Sequence, residues 1–170
     1  MSRAALRPFL RLKVCLLKYL ESESELRKAL IALLSRREYS RAEIEHKYSN
    51  RCDAKLLAAV LDDFHEAGYQ SDQRCAGMIV RSKAQQGYGK MRVLQDARRR
   101  GVSDDLIEDA LREEAIDWFE NARRVYRSKF GMPLKDYDRK SYEKRMRFML
   151  SRGFSFEEIK FATEFTDEEC

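Results

Sequence analysis

The chain has 170 residues, 44% of them hydrophobic and 37% charged, with a net charge of +5; that length suits one ordinary domain, or a row of small repeats sharing a core. Seven glycines and two prolines are too few for a strand-and-hairpin architecture, and no apolar run approaches the ~18 residues of a membrane span. Cys15, Cys52, Cys75 and Cys170 form no CxxC pair, and with only His46 and His65 no local zinc set can be assembled, so the thiols read as buried or incidental in a reducing cytoplasm.

Taken in chain order, the sequence predicts helices throughout. Pro8, Arg11, Lys13 and Lys18 interrupt the stretch that would follow an export signal's basic start, so residues 1–23 read as a lead-in helix, centred on 9–20. A first three-helix repeat is expected over 24–70. Its signals are Ser22 with Glu25 and Ser40 with Glu43 at capping-box spacing, the stripe Leu56, Leu57, Val60, Leu61 and Phe64, and Gly68 as a helix stop. A second repeat, 71–114, contains the connector Gly87-Tyr88-Gly89, the stop Gly101 and the stripe Leu106, Ile107, Ala110 and Leu111. The third, 115–166, begins with Trp118, Ala122, Val125 and Tyr126 and breaks at Gly131-Met132-Pro133. It resumes with Tyr142, Met146, Met149 and Leu150, then shows Gly153 and a Ser155–Glu158 box. Residues 167–170 form an acidic tail. The stripes are expected to be core, and the fold class all-α: an elongated array of three tandem three-helix repeats behind the lead-in helix.

The repeat rests on three joints around Ser40, Ser103 and Ser155. In each, an Arg stands three residues before the Ser, an apolar residue directly before it, and an Ile four after it. The pattern is a helix stop, a staple residue, an N-cap and a first-turn apolar contact. The serines lie 63 and 52 positions apart, room for about three helices per unit.

No catalytic centre, metal site or cofactor is expected. The doublets Asp62-Asp63, Asp104-Asp105, Glu113-Glu114 and Glu157-Glu158 point about 100° apart on a helix and cannot converge as an acid–base pair. No P-loop and no Gly-x-Ser-x-Gly elbow occurs. Charge placement says more. Residues 1–20 hold five basic and no acidic side chains. The stretch 81–101 holds Arg81, Lys83, Lys90, Arg92, Arg98, Arg99 and Arg100 against Asp96 alone. A second block, 123–152, holds eleven basic residues against three acids; Arg123, Arg124, Arg127, Lys129, Arg139, Lys140, Lys144, Arg145, Arg147 and Arg152 are its candidate binding residues, together with the seven of the first. Segments 102–122 and 153–170 sum to −7 and −5. Such polarised blocks read either as ordinary solvated faces with dipole complementarity or as an electropositive face for phosphates or an acidic protein surface.

The central residues carry a resemblance. Gly68-Tyr69-x-x-Asp72-x-Arg74-x-Ala76, Arg81-x-Lys83, Gly87-Tyr88-Gly89-x-x-Arg92-Val93 and Arg100-Gly101-Val102-Ser103, flanked by Leu33 to Ser40 and Arg147 to Ser155, resemble the RecX family of regulatory proteins over about residues 29–165. The chain departs from that pattern at Gln70, Cys75, Lys90 and Asp96-Ala97, where the family favours Leu, an aromatic, Pro and Glu-Leu. The resemblance implies a monomeric array of three-helix repeats that binds the groove of the RecA–DNA filament. It would bridge RecA subunits and hinder filament growth, strand exchange, ATP hydrolysis and co-protease activity, with weak non-specific DNA contact. The alternative is a stand-alone, non-specific DNA-binding helical protein. A base-reading helix should open with Arg, Asn or Gln. The helices after Ser103 and Ser155 open instead with Asp104, Asp105, Glu108, Glu157 and Glu158, which argues against base-specific reading. Reversing Arg98, Arg99 and Arg100 to Glu is expected to weaken partner binding without unfolding the helices.

Overall fold

The structure, a computed structural model, describes residues 19–131 and 138–164. The lead-in helix expected at 9–20 lies outside the described residues save Tyr19 and Leu20, which are not helical. Met132 and Pro133, the acidic tail, Cys15 and Cys170 also lie outside them. Among the described residues the architecture is all-α, with nine helices: α1 (Glu23–Leu34), α2 (Arg41–Tyr48), α3 (Ala54–Glu66), α4 (Asp72–Gln85), α5 (Lys90–Arg99), α6 (Asp104–Glu114), α7 (Trp118–Phe130), α8 (Arg139–Ser151) and α9 (Phe156–Thr163).

Consecutive helices bury three separate cores. Leu26, Leu30, Ile44, Leu61 and Phe64 fill the one beneath α1–α3. Ile79, Val80, Val93 and Ile107 fill the second, and Tyr126, Met149, Phe154 and Ile159 the third. Each fully buried Leu, Ile or Phe contributes about 1.5–3 kcal/mol relative to exposure. The stripe through α8 is narrower than expected: Met149 is fully buried, but Tyr142 and Leu150 are 41% and 39% exposed. Tyr142 lies on the same face as Met149 but two turns earlier, in the first turn of α8, and Leu150 lies about 100° round the helix from Met149.

The caps explain the repeat and correct its register. Third helices start after Asp53, Ser103 and Ser155, which are 50 and 52 positions apart. Ser40 begins a second helix, so its counterparts are Gly89 and Asp138, not Ser103. The overlay of joints therefore set its first member one helix early. The confusion has a physical cause, since a staple of Tyr39 before Ser40 and buried Ile44 after it copies the third-helix pattern. The true first joint uses Cys52 as staple, Leu57 as its partner, and the Asp53 carboxylate, which accepts from the Lys55 and Leu56 amides. Ser40 and Ser155 close full capping boxes with Glu43 and Glu158, whereas Ser103 sits at the N-cap without a side-chain capping bond.

Neighbouring repeats are joined by one device used twice. The turn between second and third helix of each later repeat seats on the start of the second helix of the repeat before it. Arg100-Gly101 seats on α2, where the Ser40 hydroxyl donates to the Arg100 carbonyl and Gly101 lies against Ala42. Arg152-Gly153 seats on α5, with the Gly89 and Met91 amides donating to the Arg152 and Gly153 carbonyls at 2.9 and 3.2 Å. Free carbonyls at the end of α8 thus satisfy orphan amides at the start of α5, with the helix dipoles aligned favourably. The matching turn of the first repeat is met by the incoming chain: the Leu20 amide donates to the Arg51 carbonyl at 2.6 Å, and Leu20 is buried in the first core.

This docking accounts for the glycines. Gly153 has φ +87°, and a Cβ there would lie 2.5 Å from the Arg92 amide nitrogen. A Cβ on Gly89 would overlap the Gly153 carbonyl. Gly87 has φ +77°, with Val125 2.8 Å from where its Cβ would be. The Gly-Tyr-Gly connector and the Arg-Gly turn are two halves of one interface.

Candidate functional site

The two basic blocks, alike in sequence, differ in three dimensions. In the first, almost every cation meets a carboxylate. Arg81 pairs with Glu114, Lys83 with Asp96 at 2.6 Å, and Arg98 with Asp104 at 2.7 Å. Arg92 and Arg99 share Asp96 at 3.8 and 3.5 Å, and Arg100 lies 3.9 Å from Glu43. Lys90 is exposed at the start of α5, the one member of the block with no ion pair among the described residues. Asp96 is 2% exposed. Burial pushes its carboxyl up, but the Lys83 hydrogen bond and the charges of Lys83, Arg92 and Arg99 outweigh that and hold it below the usual carboxylate range. The exposed pairs, such as Arg98–Asp104, add little stability, yet each weakens the field that a polyanion would feel.

Arg100 has a structural role. Its side chain is 24% exposed in the seam between the first two repeats, and its carbonyl accepts from Ser40. In the Arg98–Arg100 reversal, a glutamate at this residue would stand beside Glu43 in the seam. Two of the departures from the pattern, Gln70 and Cys75, sit at this seam or beside it. Buried Gln70 donates to the Tyr39 carbonyl at 3.2 Å and to Asp72 at 2.8 Å. Cys75 is fully buried, and that burial pushes its thiol up to about 12.

In the second block fewer cations meet carboxylates among the described residues: Arg123 pairs with Glu120 at 3.4 Å and Arg139 with Glu143 at 2.9 Å. Arg145 donates to the Tyr126 hydroxyl at 2.7 Å and overlies Phe130, while Arg127 is half-buried on α7. Arg124 and Arg152 are held by neutral oxygens instead. Arg124 donates to the Ala84 carbonyl at 3.0 Å and to Asn121 at 2.6 Å. Arg152 donates to the Gln86 and Gly87 carbonyls at 2.9 and 3.3 Å and stacks 5.0 Å from the Phe148 centroid. Lys129 overlies the same ring at 5.8 Å. Lys140, Lys144 and Arg147 are exposed at i, i+4 and i+7, one stripe of α8.

The structure thus brings Arg124, Lys129 and Arg152 together at the seam of the second and third repeats, beside the α8 stripe. It disperses Arg81, Arg98 and Arg123 into separate pairs. Spacing in the sequence could not have shown this, because Lys83–Asp96 and Arg81–Glu114 are made between helices. Ser128 and Phe148, which share the cleft with these three cations, escape a reading confined to charge. No helix among the described residues is long and apolar enough to cross a membrane.

Comparison with known proteins places this arrangement. The family model for the second three-helix domain of RecX matches residues 71–111, and that for the third matches 115–163. "Regulatory protein RecX" of Chromohalobacter salexigens is 38% identical over 133 residues, spanning 78% of this chain and 86% of the relative. That of Vibrio parahaemolyticus is 35% identical over 144 residues, spanning 84% and 92%. The crystal structure of RecX from Lactobacillus salivarius superposes with a TM-score of 0.67 at 20% identity, over 82% of this chain and 93% of that one. A second crystal structure, of regulatory protein RecX, gives 0.68 at 18% identity, over 84% and 73%. The nine helices, their three cores and the Gly-Tyr-Gly and Arg-Gly seam are those of a chain that belongs to the RecX family of regulatory proteins.

Proposed function

We propose that this chain is a non-enzymatic, cytoplasmic regulator that binds the RecA nucleoprotein filament as a monomer and restrains its growth. ATP hydrolysis, strand exchange and co-protease activity fall in consequence, within homologous recombination and the SOS response. Family membership supports the choice of partner. The observation that carries the reading is the uneven compensation of charge: six of the seven cations of the first basic block meet carboxylates within the array, while Arg124 and Arg152 are oriented by carbonyls and meet no carboxylate among the described residues. A docked array with one electropositive stretch suits a long polyanionic partner with repeating sites.

The candidate contact residues then rank themselves. Arg124, Lys129, Lys140, Lys144, Arg147 and Arg152 come first, and the paired residues of the first block come after them. Co-sedimentation with RecA filaments on single-stranded DNA tests the reading. The chain should pellet with filaments, and charge reversal at Lys140 and Lys144 should release it. A chain that stays in the supernatant at every ratio contradicts the proposal.

A further inference from the structure

A cleft of about 230 Å³ opens where the second repeat meets the third. Arg124, Ser128 and Lys129 of α7 and Arg152 just past the end of α8 line it. No carboxylate lines it among the described residues. Both guanidiniums are held by neutral oxygens of the seam, Arg124 by Ala84 and Asn121 and Arg152 by Gln86 and Gly87. Those bonds fix orientation without cancelling charge. Each fork is therefore set before any ligand arrives, which lowers the ordering cost of binding.

The geometry points to a site for a phosphodiester group of a nucleic-acid strand, read through its backbone and not its bases. Several donors around one small cleft suit a tetrahedral phosphate oxyanion. Phe148, the aromatic ring of the cleft, has Arg152 at 5.0 Å and Lys129 at 5.8 Å from its centroid, so cations already sit over the ring on which a base would stack. Beyond the cleft the cations continue. Lys140, Lys144 and Arg147 are exposed along one stripe of α8, spaced about 4.5–6 Å along the axis at the helical rise. A row of charges at that interval fits a polymer with a charge on every unit better than a lone carboxylate side chain. This site deepens the proposed function by supplying the nucleic-acid contact of a filament binder, and it is testable without RecA.

The test is fluorescence anisotropy of a labelled oligo-dT strand with the full chain, followed as a function of salt. Each phosphate contact on single strands contributes about 0.7 to the slope of log affinity against log salt. Arg124→Ala/Lys129→Ala should lower that slope by about 1.4 for two contacts and weaken oligo-dT and mixed-sequence strands alike. Lys47→Ala/Lys55→Ala removes the same charge from exposed positions of the first repeat and should leave the slope within error. Lys129→Ala alone, which breaks no hydrogen bond of the seam, should carry half the effect; it keeps the test standing should Arg124→Ala loosen the docking. Equal slopes for wild type and cleft variant, or an equal drop in the control, overturn the assignment. Two competitors separate the sources of charge. If inorganic phosphate raises the melting temperature of wild type but not of the variant while the DNA slopes agree, the cleft holds free phosphate and the strand assignment fails. If polyglutamate competes with DNA and the variant loses polyglutamate affinity equally, the ligand is an acidic peptide and the assignment again fails.

Discussion

Gly153→Ala measures how much the seam between the second and third repeats depends on close backbone approach, and Gly68→Ala is its internal reference. Both glycines close helices with positive φ, +87° and +74°. An alanine at either position meets the left-handed penalty of about 1–2 kcal/mol. The surroundings differ. Nothing lies within 4 Å of a Cβ at Gly68, whereas at Gly153 the Cβ would lie 2.5 Å from the Arg92 nitrogen and 2.7 Å from its Cβ. Relieving that overlap means lifting the α8–α9 turn off the start of α5, which strains or breaks the two amide–carbonyl bonds made there. Overpacking of this kind costs a further 1–3 kcal/mol or so. Urea titrations followed by circular dichroism should therefore show Gly68→Ala about 1–2 kcal/mol less stable than wild type and Gly153→Ala roughly 2–5 kcal/mol less stable. In melting temperature the extra loss is about 2–12 °C, at 2–4 °C per kcal/mol for a chain of this size. Equal losses for the two variants would refute the docking account, since they would leave the φ penalty as the whole effect.

Two further substitutions separate structural cations from surface ones. Arg100→Glu should lower stability by about 1–3 kcal/mol, because it sets a carboxylate against Glu43 in the seam, while Arg98→Glu/Arg99→Glu should change it by less than about 1 kcal/mol; equal losses in thermal melts contradict the distinction. Asp96→Asn should cost about 1–3 kcal/mol at neutral pH by leaving Lys83 without its partner, and it should also flatten the acid limb of the stability curve. The wild-type carboxyl is held below the ordinary range, so its stabilisation is full above the unfolded value of about 3.9 and is lost as pH falls through the folded one. Parallel acid limbs for wild type and Asp96→Asn contradict that.

Local signals were legible in the sequence because they act locally. The glycine stops at Gly68, Gly101 and Gly153 and the boxes at Ser40 and Ser155 involve residues within one turn, and the chain alone dictates them. Register was legible only in part: the first third helix is capped by Asp53 and not by a serine, so a pattern keyed on serine picked Ser40 in its place. The α8 stripe marked a face without marking how much of it is covered, since Met149 is buried while Tyr142, two turns earlier, and Leu150, off to one side, stay exposed. Charge was least legible. Runs of basic residues look alike whether they are neutralised, as Lys83 is by Asp96, or held open by carbonyls, as Arg152 is by Gln86.

The most direct measurement of the central claim is ATP hydrolysis by RecA on single-stranded DNA while this chain is titrated in. The account predicts that hydrolysis falls at ratios well below one chain per RecA subunit, and that reversing Lys140 and Lys144 shifts the titration to higher concentration. Hydrolysis that stays constant at every ratio, with filaments assembling at their normal rate, would contradict it.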